Sequence, residues 1–416
     1  MARSHDMTSG SIWRSLLGFS IPIMISNLVQ STYNAVDMLF VGRFTGTESL
    51  AAVSVCGPIM NVMIITLSGM SAGVLVVISG LLGAGDIKQA QDAAHTSVAL
   101  YALMAAVMTV LGLLFVPQIL RLVQTPAAAM PEAKRYLYTV FAGTVFTFGY
   151  NLIGALQRGL GNAAASMSFV IISSAANIAL DAVFIVWLGM GAFGAALGTV
   201  LSQVAAFVIG TVQFARGGAA LRLSARAVRF HKKHLKNILL FGVPTALNEV
   251  MVNLAMLTVS GVANSFGLAS SAAYGVGSRI DSLAIFTDGA MNQTMSAYAS
   301  QNIGAGRQKR ALEGLWKAII LSAGAALGTS LLVLGFASEF SACFDSDPAV
   351  IEQSAAFLRV TVWSYPLFAT VGPLIGFIRG TGNVEASLLV GVVAQLCCRV
   401  PASFLFSRWM GFPGVG

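Results

Sequence analysis

The chain carries its apolar sequence twice. Gly83-Ala84-Gly85 returns as Gly304-Ala305-Gly306 after 221 positions, and Phe19-x-x-Pro22 returns as Phe241-x-x-Pro244 after 222. Arg158-Gly159-Leu160-Gly161-Asn162 returns as Arg379-Gly380-Thr381-Gly382-Asn383, again after 221. Three motifs recurring at a shift of 221 or 222 make this an internal duplication. Each copy of the duplicated plan calls for six apolar spans, and an even number of crossings brings a chain back to the side it started from. The two copies therefore run parallel through a bilayer. Parallel repeats of this kind are a transporter plan, with the substrate site expected between the halves.

Composition fixes the solvent. With 56% hydrophobic residues, 10% charged residues and a mean hydropathy of +0.80, a water-soluble globule is excluded, because its surface would be apolar. Long apolar spans fall at 15–42, 50–82, 96–117, 135–158, 164–189 and 192–215, then at 238–266, 272–303, 311–336, 354–380 and 385–409. Most suffice to cross about 30 Å of hydrocarbon as helices. Helices are required, since backbone polar groups in lipid need partners within their own segment and no alternating barrel pattern is present. The expected fold class is an all-α polytopic membrane protein of two parallel six-helix repeats. Residues 1–215 form the first lobe, 216–237 a connector and 238–416 the second lobe. Shifted by 222, Gly194 meets Gly416, so 195–215 have no counterpart. The twelfth helix of the plan is absent from this chain and would need about 20 more apolar residues.

Lys and Arg set the orientation. An inside N-terminus places sixteen of them in the cytoplasm, among them Arg14, Lys88, Arg307, Arg310 and seven in the connector, against five outside. The positive-inside rule then gives a multi-pass protein of the cytoplasmic (inner) membrane with its N-terminus inside. Arg158 and Arg379, where spans end, read as interfacial anchors. The connector has no acidic residue, which suits anionic lipid headgroups and calls for no nucleic-acid partner. The first apolar segment is too long for a signal peptide and reads as a retained helix. Cys56, Cys343, Cys397 and Cys398 have no metal spacing and imply no disulfide framework. Gly189-Met190-Gly191-Ala192-Phe193-Gly194 matches a dinucleotide fingerprint literally, but it follows no strand and no acid stands between 195 and 248, so it reads as a turn. No phosphate-binding loop of the G-x-x-x-x-G-K-S/T form exists, so the chain itself binds no ATP, and it is not read as an enzyme or as needing a cofactor.

Chemistry in such a chain lies in the polar groups inside spans, each of which costs about 2.5–3.5 kcal/mol when ionisable on insertion scales. Gln30, Tyr33, Asn34 and Asp37 share one face of the first helix, and Ser173, Asn177 and Asp181 one face of the fifth. Asn151 and Thr199 add an amide and a hydroxyl. Two carboxylates, two amide carbonyls and a hydroxyl are the oxygen donors a hard cation such as Na+ requires. The same carboxylates could instead share a proton, since two of them in low dielectric do not both ionise cheaply.

Val36-Asp37-Met38-Leu39-Phe40-Val41-Gly42, the Arg158–Asn162 segment, Asn177-x3-Asp181 and Gly191-Ala192-Phe193-Gly194-Ala195-Ala196 resemble the multidrug and toxic compound extrusion (MATE) family of efflux transporters over essentially the whole chain. The resemblance implies alternating access, with drugs or metabolites leaving as H+ or Na+ enters. It implies a cation site at Asp37, Asn151, Asn177, Asp181 and Thr199 with Tyr33 adjacent. It also implies a bend of the first helix at Pro22, which the physics of a helix-interior proline supports independently.

The second repeat does not keep this site, for Asp37 faces Val259, Asn177 faces Arg399 and Asp181 faces Ser403 at the same shift. Glu249 matches a membrane glutamate of many family members, but the aspartate that accompanies it in the sodium-using subgroup is missing from 354–380. Glu249 is thus expected either to recognise substrate charge or to pair with Arg399. Asp288, Asn292, Gln30 and Asn34 are further substrate candidates, whereas Asp281, beside Arg279, is expected to be solvated. Two other functional classes share parts of this pattern. A flippase for lipid-linked precursors would favour a cationic cavity, and an intramembrane aspartyl protease would need other contexts than Val-Asp37-Met and Leu-Asp181-Ala. A monomer is expected, with the lipid bilayer and small molecules as its partners.

Overall fold

A computed structural model describes residues 6–216 and 221–415, and the side chains of all of these except 225 and 283–286. Residues 217–220 of the connector, Arg3 and Gly416 lie outside the described residues. The described chain is helical throughout: α1 (Ile12–Phe44), α2 (Thr47–Gly83), α3 (Ile87–Leu122), α4 (Met130–Gly159), α5 (Ala163–Asp181) and α6 (Gly191–Arg216) come first. Then follow α7 (Lys232–Asn264), α8 (Leu268–Gly304), α9 (Gln308–Ala342), α10 (Pro348–Thr361), α11 (Tyr365–Phe368), α12 (Val371–Gly380), α13 (Val384–Val392) and α14 (Val400–Met410). Ten helical segments among the described residues are long and apolar enough to cross a membrane.

The repeated motifs are helix stops and starts. Gly85, Gly161, Gly306 and Gly382 take φ of +73°, +78°, +72° and +97°, a region that side chains disfavour, and so end α2, α4, α8 and α12. The next residue restarts the chain: Asn162 accepts the Ala165 N–H at 3.0 Å, Asn383 the Ala386 N–H at 3.2 Å and Asp86 the Gln89 N–H at 3.0 Å. These are N-caps. The Asp86 carboxyl is held below the usual carboxylate range by that backbone N–H first, then by the Gln89 side chain and by the charges of Lys233 and His234. At the matching place in the second repeat stands Arg307, which has no capping side chain.

Close helix approach relies on missing side chains. On α12, Gly372, Gly376 and Gly380 face α8 so closely that a Cβ would strike Asp288, the Asn292 backbone and Ala299 respectively. Small residues at four-residue spacing are the membrane's substitute for a hydrophobic drive between helices.

The span expected at 354–380 is not one helix. It breaks over 362–370 between α10, α11 and α12, because Pro366 and Pro373 each lack an N–H and crowd the carbonyl four residues back. Asp288 on α8 accepts the Gly372 N–H at 2.7 Å, satisfying a donor at the restart that hydrocarbon would leave costly. Two π-helical segments also interrupt spans, Ala182–Trp187 directly after α5 and Val393–Arg399 before α14.

The chain divides into two compact units. One is built on Ile21–Val243, the other on Met7–Ser20 together with Pro244–Gly416. The divisions fall inside α1 and α7, next to Pro22 and Pro244, and not within the connector. The first unit's core holds Val74, Ile78, Tyr101, Leu137, Phe148, Leu156 and Phe169. The second packs Val262, Ile280, Phe357, Leu358 and Tyr365.

Candidate ion-coupling site

In the first unit, Asp37 is carried by α1 and Asp181 is the last residue of α5, where the π-helical segment begins. A π-bulge widens the turn and re-aims neighbouring side chains, and such segments recur at functional positions. Asp181 is 0% exposed and Asn177, one turn earlier, 1%. From α6, Gly198 lies so near that a Cβ there would strike Asp181 Oδ1.

The polar atoms in this region are unusual in having no partners. Asp37 Oδ1, both Asp181 oxygens and both amide atoms of Asn177 are buried without a hydrogen bond. A buried group left so costs about 1–3 kcal/mol, more when charged, and native structures carry few of them. The carboxylates also share one electrostatic environment. The charge of Asp37 acts on Asp181, and both act on Tyr33 and on Tyr136 of α4. Four of the orphaned atoms are oxygens, so the arrangement can accept a proton or coordinate a hard cation.

Other expected members make local hydrogen bonds through atoms other than the oxygens expected to bind a cation. Asn151 donates to the Thr147 carbonyl at 2.8 Å, and Thr147 donates to Gln203 of α6. The Thr199 carbonyl accepts from Ser202 at 2.8 Å, while Ser173 donates to the Ser202 carbonyl at 3.0 Å. Gln30, one turn before Tyr33, is exposed, as is Asn34. Pro22 lies inside α1, and Ser26 Oγ donates to its carbonyl at 2.8 Å, a back-bond of the kind that favours bending. Tyr136 was not anticipated, though it stands 11 and 15 residues before Thr147 and Asn151 on one stripe of α4. A stripe of hydroxyls and an amide along a span was the available signal.

In the second unit, the charge that acts on Glu249 is Arg379, not Arg399. Arg379 is 5% exposed and donates from Nη1 to Asn292 Oδ1 at 3.1 Å. Arg158 likewise turns inward, donating from Nη1 to Ser166 Oγ at 3.0 Å with its Nε unpartnered. Neither arginine is the interfacial anchor that its place at a span end suggested. Each follows its helix back into the bundle, where a guanidinium finds hydroxyl or amide oxygens. Asp281 is not solvated either, since Tyr365 donates to its Oδ1 and Thr361 approaches the same atom at 3.5 Å. Arg399 acts on that carboxylate from nearby.

A family model described as MatE matches residues 22–183 and 244–405. The two matches start 244 − 22 = 222 residues apart, the shift at which the sequence repeats. Among relatives, the chain is 28% identical over 414 residues to a probable multidrug resistance protein, YpnP, of Bacillus subtilis, covering 100% of this chain and 93% of that one. It is 22% identical to the multidrug export protein MepA of Staphylococcus aureus, over 97% of this chain and 89% of that one. Among solved structures, a MATE protein crystallised in complex with MaL6 superposes with a TM-score of 0.94 at 25% identity, covering 100% of this chain and 94% of the other. An outward-facing multidrug resistance MATE family transporter superposes with a TM-score of 0.92, also at 25% identity.

Proposed function

The chain belongs to the MatE family, and from that premise we propose that it exports organic, often cationic and apolar, compounds in exchange for H+ or Na+ bound at Asp37, Asn177 and Asp181. Secondary multidrug efflux is the general activity; the coupling site and the ion are the specific part of the reading. The observation that carries it is the set of buried, unpartnered acceptors on α1 and α5. A polar cluster kept without internal partners in hydrocarbon is a standing energetic cost, which a bound cation relieves.

In this reading Asn151 on α4, Thr199 on α6 and Tyr33 on α1 support the site. Ion binding satisfies Asp37 and Asp181 together and shifts α1 about Pro22 toward a state that holds substrate weakly. Exchange then follows from differential affinity, the ion and the exported compound favouring different states of one element. A membrane potential of 100 mV supplies about 2.3 kcal/mol for each charge moved, enough to drive accumulation against a gradient. Glu249 is the group in the second unit assigned to charge recognition, with Gln30 and Asn34 on α1 presenting exposed amides. Asp288 and Asn292 have one oxygen each committed to Gly372 and Arg379, so their part is to shape that surface. The reading includes two parallel six-helix repeats, the N-terminus inside the cell, insertion in the inner membrane and a monomer.

Proteoliposome counterflow tests it. Asp37→Asn should abolish export while leaving the protein folded, and an imposed Na+ gradient compared with an imposed pH gradient identifies the ion. Full export by Asp37→Asn would end the proposal.

A further inference from the structure

The segment ahead of α1 and the connector ahead of α7 are each strapped to a helix-start region far away in sequence. In the second unit, Met7 is 1% exposed; its N–H donates to Gln301 Oε1 at 2.8 Å and its carbonyl accepts from Asn302 Nδ2 at 3.2 Å. Arg310, in the first turn of α9, spreads its guanidinium over the same strap. Nη2 donates to the Ser9 carbonyl at 2.8 Å and Nη1 to that of Gly10 at 3.0 Å, with Met7 sharing Nε and Nη2. Arg307 donates to the Thr8 carbonyl.

In the first unit, the start of α3 holds the connector. Gln91 grips Arg222 by both backbone groups, accepting its N–H at 2.7 Å and donating to its carbonyl. His95 accepts the Ser224 N–H at 3.3 Å, Thr96 accepts the His231 N–H at 3.2 Å, and Lys233 donates to Gln89 at 2.7 Å. Asp92 faces His231 at 3.5 Å.

The duplication aligns the helix starts that carry these two clasps: at the repeat shift of 221, Arg310 corresponds to Gln89 and Arg307 to Asp86. In the second unit the arginines of this region donate to strap carbonyls, whereas in the first the side chains of α3 both accept strap N–H groups and donate to a strap carbonyl. A strap held at the matching helix start in both units is hard to explain as an incidental tie of a chain end. The division of the units gives it a use, since the inner parts of α1 and α7 belong to the clasped unit while their remainders belong to the other.

We propose that the two clasps are matched anchors, and that Arg310 and Gln91 are positioning residues of the transport cycle. Each holds the inner end of a helix that pivots at its proline, Pro22 in α1 and Pro244 in α7. A bend at Pro22 driven from Asp37 moves one end of α1 relative to the bundle only when the other end is fixed. With the strap free, the same bend is lost as slack.

The proposal rests on the exchange reading for its assay, and the two fail differently. Wild-type protein that shows no ion-driven export sinks that reading before any variant is made. The clasps are tested only against a wild type that exports. Arg310→Gln, Gln91→Ala and a chain lacking residues 2–9 should each lower ion-driven export of ethidium from proteoliposomes at least fivefold. Ethidium affinity of the purified protein, read by fluorescence anisotropy, should change less than twofold. Arg310→Lys should recover export only in part, because an ammonium cannot span three carbonyls as a guanidinium fork does. Wild-type export by any of the three variants overturns the proposal. So does loss of ethidium binding in step with export, which would make the clasps ties for folding alone.

Discussion

Asp181→Asn tests whether the candidate site is held at an energetic cost. Asp181 is 0% exposed and neither carboxylate oxygen has a hydrogen-bond partner, while Asp37 places a second negative charge in the same surroundings. Asparagine keeps the shape and removes the charge. A buried group without partners costs about 1–3 kcal/mol, with charged groups at the upper end, so the substitution should raise stability by about that amount. The same change should remove a second quantity. Saturating ion at about 100 times its dissociation constant stabilises the wild type by about 2.7 kcal/mol, and the variant should lose most of this increment. The assay is thermal unfolding in detergent at alkaline pH, with and without sodium, and then on acidification. The variant should melt above the ion-free wild type and respond little to either ion, while its export is lost. An ion-free variant less stable than wild type, or a wild type indifferent to sodium and acid alike, would refute the reasoning.

Gly198→Ala should damage the same site sterically, because its Cβ strikes Asp181 Oδ1; a loss of about 1–3 kcal/mol in thermal unfolding and impaired ion response are expected. Gly372→Ala should cost a similar ~1–3 kcal/mol by pushing α12 off Asp288, with the sodium or acid increment kept. Asp86 has a folded-state pKa below its unfolded value, so its contribution is present above the unfolded value and lost as pH falls through the folded one. The melting-temperature gap between wild type and Asp86→Asn should therefore be steady at neutral pH and close on acidification; a gap that widens instead would contradict the assignment. Pro22→Ala should straighten α1 and slow ion-driven export while ethidium affinity holds, as stopped-flow transport and anisotropy would show.

The polypeptide sequence alone determined the membrane, the helical class and the duplication, since hydrocarbon forces each span to satisfy its own backbone and the motif shift is a matter of counting. It also pointed to Asp37, Asn177 and Asp181, because charge and amide groups in apolar helices are rare enough to stand out by themselves. What it could not decide was which way long side chains turn. Arg158 and Arg379 look like anchors at span ends, yet both fold back on neighbouring helices, because a guanidinium reaches several ångströms and only packing says toward what. Asp281 looked solvated until Tyr365, 84 residues later, came to rest on it. The clasps at Met7 and Arg222 were equally hidden, for a hydrogen bond across 131 or 303 residues leaves no periodicity in a sequence. Local patterns report what a helix must do for its own backbone, and only the tertiary structure selects the partners for atoms at the ends of side chains.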